Sequence, residues 1–381
     1  MKHYDVIVVG VGSMGSATCH ALAKEGLKVL GLEQFTLANE LSSHTGQSRL
    51  IRLAYYEHPN YVPLLKKAYK GWESIEQEAK IKLFHQTGIA YYGKVSGPLL
   101  TGINRSVHDH HLEMDTIPID RYPQFKIPND YAALFEEIAG FITPEKAILT
   151  FAQQAINFGA EIHQNEAVRS WRIQSDIVTI VTDKAHYSAD KMIVTAGPFT
   201  RTILPNFQPS LITTRQLVAW MSPTHWNEFA MNEFPCWVIE EEGTEGIYYG
   251  FPMLPIEGFP GPIGLKLAHH RPGVNIDPSQ PKDFDTDREE QHLMQMVKKY
   301  FSDTQMKLLN IRSCIYTYSS DSDFIIDYLP ETHQKVIVAA GFSGHGFKFV
   351  PAIGSILADM ARGTSMDIDV EFLSLARLNG V

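Results

Sequence analysis

Apolar residues along the chain form short continuous runs that alternate with helical spacings, a pattern that predicts parallel strands connected by helices. Residues 4–9, YDVIVV, are a β-branched run typical of a buried parallel strand. A helical pattern follows through Glu25, and Gly26 stands where a helix cap is expected. The run KVLGLE at 28–33 predicts a second strand. Two further strands that end in glycines are predicted in ADKMIVTAGPFT, 189–200, and KVIVAAGFSGHGF, 335–347.

Helical patterns elsewhere complete the predicted domain. Thr143, Pro144 and Glu145 indicate an N-cap, a proline at the first helical position and an acid in the first turn, and Gly159 is expected to end that helix. Alternating residues near 177–183 favour a hairpin. Helices are also predicted at residues 58–80, 286–301 and 351–360.

The remaining segments are richer in aromatic residues, proline and alternating patterns, which predicts a second domain inserted into the first. The predicted fold class is α/β in an α+β two-domain arrangement, with a Rossmann-like dinucleotide-binding domain and an inserted mixed-sheet substrate domain. A ligand crevice is expected between them. The predicted division assigns 1–86, 143–218 and 318–381 to the first domain and 87–142 and 219–317 to the second.

A glycine motif directly follows the first predicted strand. Gly10, Gly12 and Gly15 form GxGxxG, and Glu33 ends the second strand eighteen residues later. Such glycines permit a tight turn, close approach of a pyrophosphate and close packing of helix on strand. The helix N-terminus attracts phosphate, and the acid accepts hydrogen bonds from ribose hydroxyls. Strand, helix, second strand and acid together predict dinucleotide binding, whereas the glycines alone would also fit a turn without a ligand.

Composition narrows the range of partners. The 381 residues carry a formal net charge of -10, so the chain offers no basic footprint for nucleic acid or an anionic membrane surface. No apolar run approaches the ~18 residues that a membrane span requires. Asp5 interrupts the apolar start, and glycines follow it in place of a cleavage site, so a signal peptide is not expected.

Three cysteines are too few for a disulfide framework, and their separation in sequence favours no metal site. Cys19, Cys236 and Cys314 are therefore expected in a reducing cytoplasm. Cys314 lies in RSCIYTYSSDSDF and has two interpretations, a small buried hydrophobe or a reactive thiol. A cation that lowers the thiol pKa would favour the second, and Arg312 is close in sequence, although a strand need not aim it at the sulfur.

Several blocks, in order, give the chain a specific resemblance. SRLIRLAY (48–55), GIYYGFP (246–252), GLKLAHH (264–270), SCIYTYSSDSDFIID (313–327) and GFSGHGFK (341–348) resemble the monomeric sarcosine oxidase family, which includes N-methyltryptophan oxidase. The resemblance runs essentially end to end and implies an FAD-dependent oxidase of N-methyl amino acids. Such enzymes use oxygen and yield the amino acid, formaldehyde and hydrogen peroxide. The likeness also implies a monomer.

The resemblance further implies roles for individual residues. Cys314 would carry the flavin through an 8α-thioether, and Lys266 would lie over the flavin and activate oxygen. Arg52 and Lys348 would bind the substrate carboxylate, and Arg49 would lie near the flavin. The other implied positions are pocket walls at Tyr249, His270, Tyr316 and His345, and flavin contacts from the backbone at Gly341, Gly344 and Gly346.

Each of these residues also has a plainer interpretation. Arg49 and Arg52, three positions apart, could be solvated surface arginines, and Lys266 could be the outward residue of a strand whose Leu265 and Leu267 face the core. The aromatic and histidine residues could serve packing alone. No general base is assigned among them.

One segment departs from the family pattern. Members often have Ser-His-His-Gly-Asp-Thr-Arg where this chain has Ser-His-Thr-Gly-Gln-Ser-Arg at 43–49. Thr45 and Gln47 thus replace a histidine and an acid, which puts in doubt any part those positions have in flavin attachment or proton transfer. Arg49 is retained.

Rival functions remain within and beyond flavoenzymes. A glycine oxidase, a D-amino acid oxidase or a dehydrogenase with another electron acceptor would share most of these features. A noncatalytic nucleotide-binding scaffold would share only the glycine motif. The paired cations Arg52 and Lys348 argue against the scaffold, and Lys266 with Cys314 favours the oxidase.

Overall fold

The computed structural model describes residues 1–243, 246–271, 273–280 and 286–378. The helices in this part of the chain are α1 Ser13–Lys24, α2 Tyr61–Ala79, α3 Pro98–His110, α4 Pro144–Asn157, α5 Thr200–Ile203, α6 Thr286–Tyr300 and α7 Val350–Arg362. The strands are β1 Lys2–Val9, β2 Val29–Leu32, β3 Arg49–Ile51, β4 Phe84–Gln86, β5 Ile89–Lys94, β6 Asp115–Thr116, β7 Tyr131–Glu136, β8 Gly140–Ile142, β9 Glu161–His163, β10 Val168–Gln174, β11 Ile177–Thr182, β12 His186–Val194, β13 Ile212–Ser222, β14 Cys236–Glu240, β15 Ile247–Gly250, β16 Leu265–His270, β17 Val274–Asn275, β18 Lys307–Tyr318, β19 Ile325–Tyr328 and β20 Val336–Ala340.

The first sheet is built from the strand-then-glycine segments. β1 pairs in parallel with β2 on one side and with β12 on the other, while β20 adds to the carboxyl half of β12. β9 extends the sheet beyond β2, and the β10–β11 hairpin pairs with the amino half of β12. The central strands are buried on both faces, as their continuous apolar runs require. The predicted Rossmann-like sheet is confirmed.

Helices α1, α2, α4 and α7 share one hydrophobic core beside this sheet. α1 and α7 approach closely, because a Cβ at Gly354 would lie 2.7 Å from the backbone of Ala17. α4 begins at Pro144, as predicted, and the chain turns at Gly159 with a φ of +95°. Thr143 does not cap α4 with its side chain; its Oγ1 donates to the carbonyl of Leu83 at 3.3 Å instead.

The second sheet is mixed, which confirms the predicted sheet type. Its strands run in the order β17-β13-β16-β15-β14-β5-β7-β6. β18 lies outside this order and pairs with β13 along its whole length. β14 and β5 pair in parallel, and the other neighbours in this sheet are antiparallel. A small antiparallel sheet, β3-β8-β4, lies beside the two large ones.

The division into two domains at particular residues stays a prediction. β13 crosses the predicted limit at 218, and β18 crosses the predicted limit at 317. An isolated bridge between Tyr318 and Phe342 links the end of β18 to the chain after β20. Both sheets therefore meet where β18 ends. Within the described residues, none of the helices has the length and apolar character needed to cross a bilayer.

Candidate active site

A long cleft of about 1380 Å³ runs past the carboxyl ends of β1, β2, β12 and β20. The glycine motif forms one wall. Gly10 has a φ of +93°, and a Cβ at Gly15 would lie 1.9 Å from the Gly10 carbonyl oxygen, so glycine is required at both. A Cβ at Gly12 would meet nothing within 4 Å. The open backbone at Gly12, at the start of α1, fits the approach of a pyrophosphate.

Glu33 lines the same cleft and is held by backbone amides. Its Oε2 accepts from the N–H of Val11 at 3.0 Å and its Oε1 from the N–H of Phe35 at 3.0 Å. Burial raises the pKa of Glu33, and the two amides partly oppose that shift. Each oxygen keeps a lone pair for a ribose hydroxyl. Cleft, glycines and acid together fit a dinucleotide.

A smaller cavity of about 530 Å³ adjoins the long cleft. The two share Arg49, Tyr316, Gly344 and Phe347 as lining residues. The smaller cavity brings together most of the residues proposed for substrate, and its lining includes Arg52, Tyr249, His270, His345 and Lys348. Gly341 and Gly346 line the long cleft only. A ligand in the small cavity would therefore touch one end of a ligand in the cleft.

Arg52 is buried and paired with a carboxylate that sequence reasoning missed. Its Nη2 donates to both oxygens of Glu57 at 2.7 Å, and its Nη1 donates to the carbonyl of Ala54 at 3.0 Å. Burial alone would raise the pKa of Glu57, but Arg52, with smaller contributions from His345 and Lys348, lowers it to about 2. The only sequence signal was an acid five residues after an arginine.

Lys348 is buried, and its Nζ donates to the carbonyl of His345 at 2.7 Å. Burial and the charge of Arg52 lower the pKa of Lys348 to about 7, against the opposing effect of Glu57. The ring of Tyr55, another residue not predicted, lies 5.1 Å from Nζ of Lys348 and 4.4 Å from Cζ of Arg52. The two cations therefore flank one fully buried aromatic ring.

The two histidines of the small cavity are neutral near pH 7. Burial lowers the pKa of His270 to about 4 and that of His345 to about 3. Nδ1 of His345 lies 2.5 Å from the hydroxyl of Tyr55, and Nε2 lies 3.1 Å from the carbonyl of Ser322. Burial likewise raises the pKa values of Tyr249 and Tyr316. The walls are thus uncharged, and the cavity's charge resides in its arginines, Glu57 and Lys348.

Lys266 does not line either cavity and is only 2% exposed. Its Nζ donates to the carbonyl of Gly46, and to the carbonyl and hydroxyl of Ser48 at 2.7 and 3.1 Å. It also lies 4.5 Å from the centre of the Phe251 ring. Burial and nearby Arg49 lower the pKa of Lys266 well below its usual value. The solvent-facing alternative for Lys266 is wrong, because loop 43–48 covers that face of β16.

Cys314 is 1% exposed and lies beside two cations, neither of which is Arg312. Burial raises the pKa of its thiol, and Arg49 and Lys266 partly oppose that shift. Arg312 instead pairs with Glu40, with Nη1 3.2 Å from the carboxylate oxygen. The cations that could favour the thiolate thus come from distant parts of the sequence, β3 and β16.

Loop 43–48, where the sequence departs from the family, surrounds Arg49 with carbonyl groups. Nη2 of Arg49 donates to the carbonyls of Ser43 and Thr45 at 3.0 and 2.6 Å, and Nη1 donates to that of Ser48 at 2.9 Å. The side chain of Gln47 accepts from Nε1 of Trp220 at 3.1 Å and donates to the carbonyl of Phe259 at 3.2 Å. The replacement at 47 therefore joins the loop to the second sheet.

The chain matches a known protein family and is similar to named enzymes over most of its length. A profile of the FAD dependent oxidoreductase family matches residues 5–360. The chain is 34% identical to monomeric sarcosine oxidase of Bacillus sp. (strain B-0618), covering 98% of this chain and 96% of that protein. It is 32% identical to N-methyl-L-tryptophan oxidase of Yersinia pestis (strain Pestoides F), covering 98% and 99%.

Solved structures show the same fold at lower identity. NikD, an amino acid oxidase of nikkomycin biosynthesis, superposes with a TM-score of 0.84 at 23% identity over 98% of both chains. Glycine oxidase from Geobacillus kaustophilus superposes with a TM-score of 0.79 at 16% identity over 99% of both. With a cleft shaped for a dinucleotide and a family profile that spans nearly its whole length, the chain belongs to the FAD-dependent oxidoreductase family.

Proposed function

We propose that this protein oxidises N-methyl amino acids with oxygen and water, releasing the amino acid, formaldehyde and hydrogen peroxide. The observation that carries the proposal is the small cavity, where Arg52 and Lys348 face uncharged aromatic and imidazole walls beside the cofactor cleft. The relatives named sarcosine oxidase and N-methyltryptophan oxidase support the same class of substrate. FAD would be held by Gly10, Gly12, Gly15 and Glu33 at one end and by the Gly341–Gly346 segment at the other.

Arg52 and Lys348 would orient the substrate. A guanidinium suits a carboxylate because its planar fork can donate to both oxygens, and a nearby ammonium adds a second point of contact. The carboxylate would have to share or replace Glu57 as the partner of Arg52. Two-point binding fixes the N-methyl group against Tyr316 and Gly344, which both cavities share.

The cavity walls would favour the reactive protonation state of the amine. Burial among Tyr249, Tyr316 and neutral His270 disfavours an ammonium ion, so the amine loses its proton more readily than in water. When bound, FAD supplies the two-electron redox chemistry. Lys266 would place a fixed positive charge where oxygen accumulates negative charge during reoxidation.

Cys314 would carry the flavin through a thioether from Sγ to the 8α carbon. The thiol and the 8α-methyl group would each lose one hydrogen, and oxygen would accept both as hydrogen peroxide. Support comes from the charges of Arg49 and Lys266, which oppose the rise in thiol pKa that burial causes and so favour the thiolate needed for attack.

The attachment predicts a simple colour test. Wild-type protein precipitated with acid should give a yellow pellet, and Cys314→Ala should release its flavin to a colourless pellet. Cys19→Ala is the matched control, since Cys19 is also buried, lies on α1 and should leave the pellet yellow. A colourless wild-type pellet would refute the covalent link without affecting the proposed reaction.

The proposed reaction is tested by peroxide formation from a panel of sarcosine, N-methyltryptophan, other N-methyl amino acids, proline and glycine. We expect N-methyl amino acids to give peroxide and formaldehyde in equal amounts, with glycine inactive. Preference for glycine would indicate a glycine oxidase, and flavin reduction without reoxidation by oxygen would indicate a dehydrogenase. Sedimentation of the same preparation tests the monomer that the relatives' name supports.

A further inference from the structure

We propose that Glu145 is a positioning residue for the oxygen reaction: it holds loop 43–48, which surrounds Lys266 and Arg49, and places a carboxylate charge near these two cations. The inference rests on the proposed role of Lys266 and adds a residue that sequence reasoning used only as a helix-start signal. Glu145 lies in the first turn of α4 and is partly buried. Glu145 forms no direct ion pair with Lys266 or Arg49 and acts on both cations through the loop and through its charge.

The loop depends on Glu145 for its conformation. Oε1 of Glu145 accepts from the backbone N–H groups of Gly46 and Gln47 at 2.7 and 3.1 Å. Those residues have φ values of +116° and +71°, and a non-glycine residue such as Gln47 in this region costs ~1 kcal/mol or more. A carboxylate that binds two successive amides offsets that cost and fixes the direction of the neighbouring carbonyl groups.

Those carbonyl groups are the hydrogen-bond partners of Lys266. Gly46, whose amide is bound to Glu145, presents its carbonyl to Nζ, and Ser48 adds a carbonyl and a hydroxyl. Carbonyl dipoles favour an ammonium but carry no net charge, so they cannot balance the two buried cations Lys266 and Arg49. A nearby carboxylate carries a negative charge that can balance them.

The titratable groups that act most strongly on Lys266 come from four different elements. Arg49 of β3 destabilises its charged form, while Glu145 of α4, Cys314 of β18 and Cys236 of β14 favour it. Burial raises the thiol pKa values of Cys314 and Cys236, so both are neutral near pH 7. Glu145 is the carboxylate in this set, and the amides of Gly46 and Gln47 help to lower its pKa despite burial.

Two neighbouring side chains do not replace that charge. Burial lowers the pKa of His44, which lies near Glu145 and Arg49, to about 4, so His44 is neutral near pH 7. Gln47 is uncharged and directed toward Trp220 and Phe259. The acid that the family often has at position 47 is thus absent here, and a carboxylate from α4 acts on the same cations.

The proposal is tested on the flavin-loaded enzyme with Glu145→Gln, which removes the charge and keeps an oxygen acceptor. With lysines labelled with ¹³C at Cε, and the Lys266 signal assigned by Lys266→Met, we expect Lys266 to titrate at least about one pH unit lower in the variant, the usual effect of losing a close opposite charge. The pH above which reoxidation by oxygen slows should fall by a corresponding amount. The rate of anaerobic reduction by substrate should change less than about threefold.

Glu76 provides a matched control. Its Oε1 also accepts from two successive amides, Leu83 and Phe84, both at 2.6 Å, in a loop that supplies no partner to Lys266. Glu76→Gln should leave the Lys266 titration and reoxidation unchanged. Should Glu145→Gln not fold, Glu145→Asp retains the charge at a greater distance and should shift the Lys266 titration in the same direction by less.

An unchanged Lys266 titration in Glu145→Gln or, failing that, in Glu145→Asp would overturn the proposal, and so would an equal shift in Glu76→Gln. The NMR titration does not require turnover. A failure of this inference is therefore distinguishable from a failure of the proposed oxidase function, which the peroxide panel decides.

Discussion

The site contains two pairs of buried cations, Arg49 with Lys266 and Arg52 with Lys348, and the partners of the two pairs differ in kind. Arg49 and Lys266 donate to carbonyl and hydroxyl groups of one loop. Arg52 is paired with the carboxylate of Glu57 in a cavity, and Nζ of Lys348 donates to the backbone carbonyl of His345 there. The first pair is held by groups that cannot leave, whereas the second is held by groups that a ligand carboxylate can replace or supplement.

The contrast matches the chemistry proposed for each pair. A charge that assists electron transfer to oxygen is most effective when fixed in advance, because no reorganisation is then needed during the reaction. A charge that binds substrate must release its solvent or protein partner each cycle, so an ion pair at the cavity serves it better. The following experiments test whether fixed and exchangeable cations differ in this way.

The largest effect is expected from removing a fixed cation. Lys266→Met should slow reoxidation by oxygen by about 100-fold or more, the usual scale for loss of a preorganised charge at a reacting centre. Anaerobic flavin reduction should change far less, and stopped-flow measurement of the two half-reactions separates them. Similar losses in both halves would mean that Lys266 shapes the site as a whole.

A smaller, opposite effect is expected from removing the partner of an exchangeable cation. Glu57→Gln leaves Arg52 free of its competing carboxylate, so acetate should bind about tenfold more tightly at pH 6, a change of ~1.4 kcal/mol. Acetate binding to the oxidised enzyme is followed through the flavin absorbance. Weaker binding would indicate that Glu57 organises Arg52 for its ligand. The control variant is Glu78→Gln, because Glu78 of α2 pairs with His20 and Lys24 of α1 and lines neither cavity.

The smallest effect is a pH dependence of the same binding. Because the pKa of Lys348 is lowered to about 7, its ammonium is present below that pH and is lost as pH rises through it. Acetate affinity should therefore fall about five- to tenfold between pH 6 and pH 8, because the charged fraction of Lys348 falls about tenfold over this range and one charged hydrogen bond is worth ~1.5–3 kcal/mol. Lys348→Met should bind weakly and without this dependence. A pH-independent wild type would place the pKa of Lys348 outside that window.

Features set by neighbouring residues were predicted well. β1, α1 and β2 follow the local pattern within a few residues, and Gly10, Gly15 and Glu33 lie as their spacing indicates. Arg52 and Lys348 were placed by resemblance, since nearly 300 residues separate them and no local period connects them.

Features set by distant packing were not predictable from pattern. Alternation around Lys266 correctly separated it from Leu265 and Leu267, but the face opposite those leucines is covered by a loop more than 200 residues away. Glu57 and Glu145 were missed as site residues, because a carboxylate's partners are known only once β3, α4 and the second sheet have been brought together. Arg312 was close to Cys314 in sequence yet pairs with Glu40.

The length of β18 has a consequence for how this enzyme can vary. Cys314 and Tyr316 point to the same face of one strand, two residues apart, and pairing with β13 fixes their register from Ile212 to Trp220, where the pairing shifts by one residue. Inserting or deleting one residue just before Cys314 would turn both side chains to the opposite face. Homologues should therefore accept changes of residue type along β18 but no change of length, while the loops that bound it tolerate both.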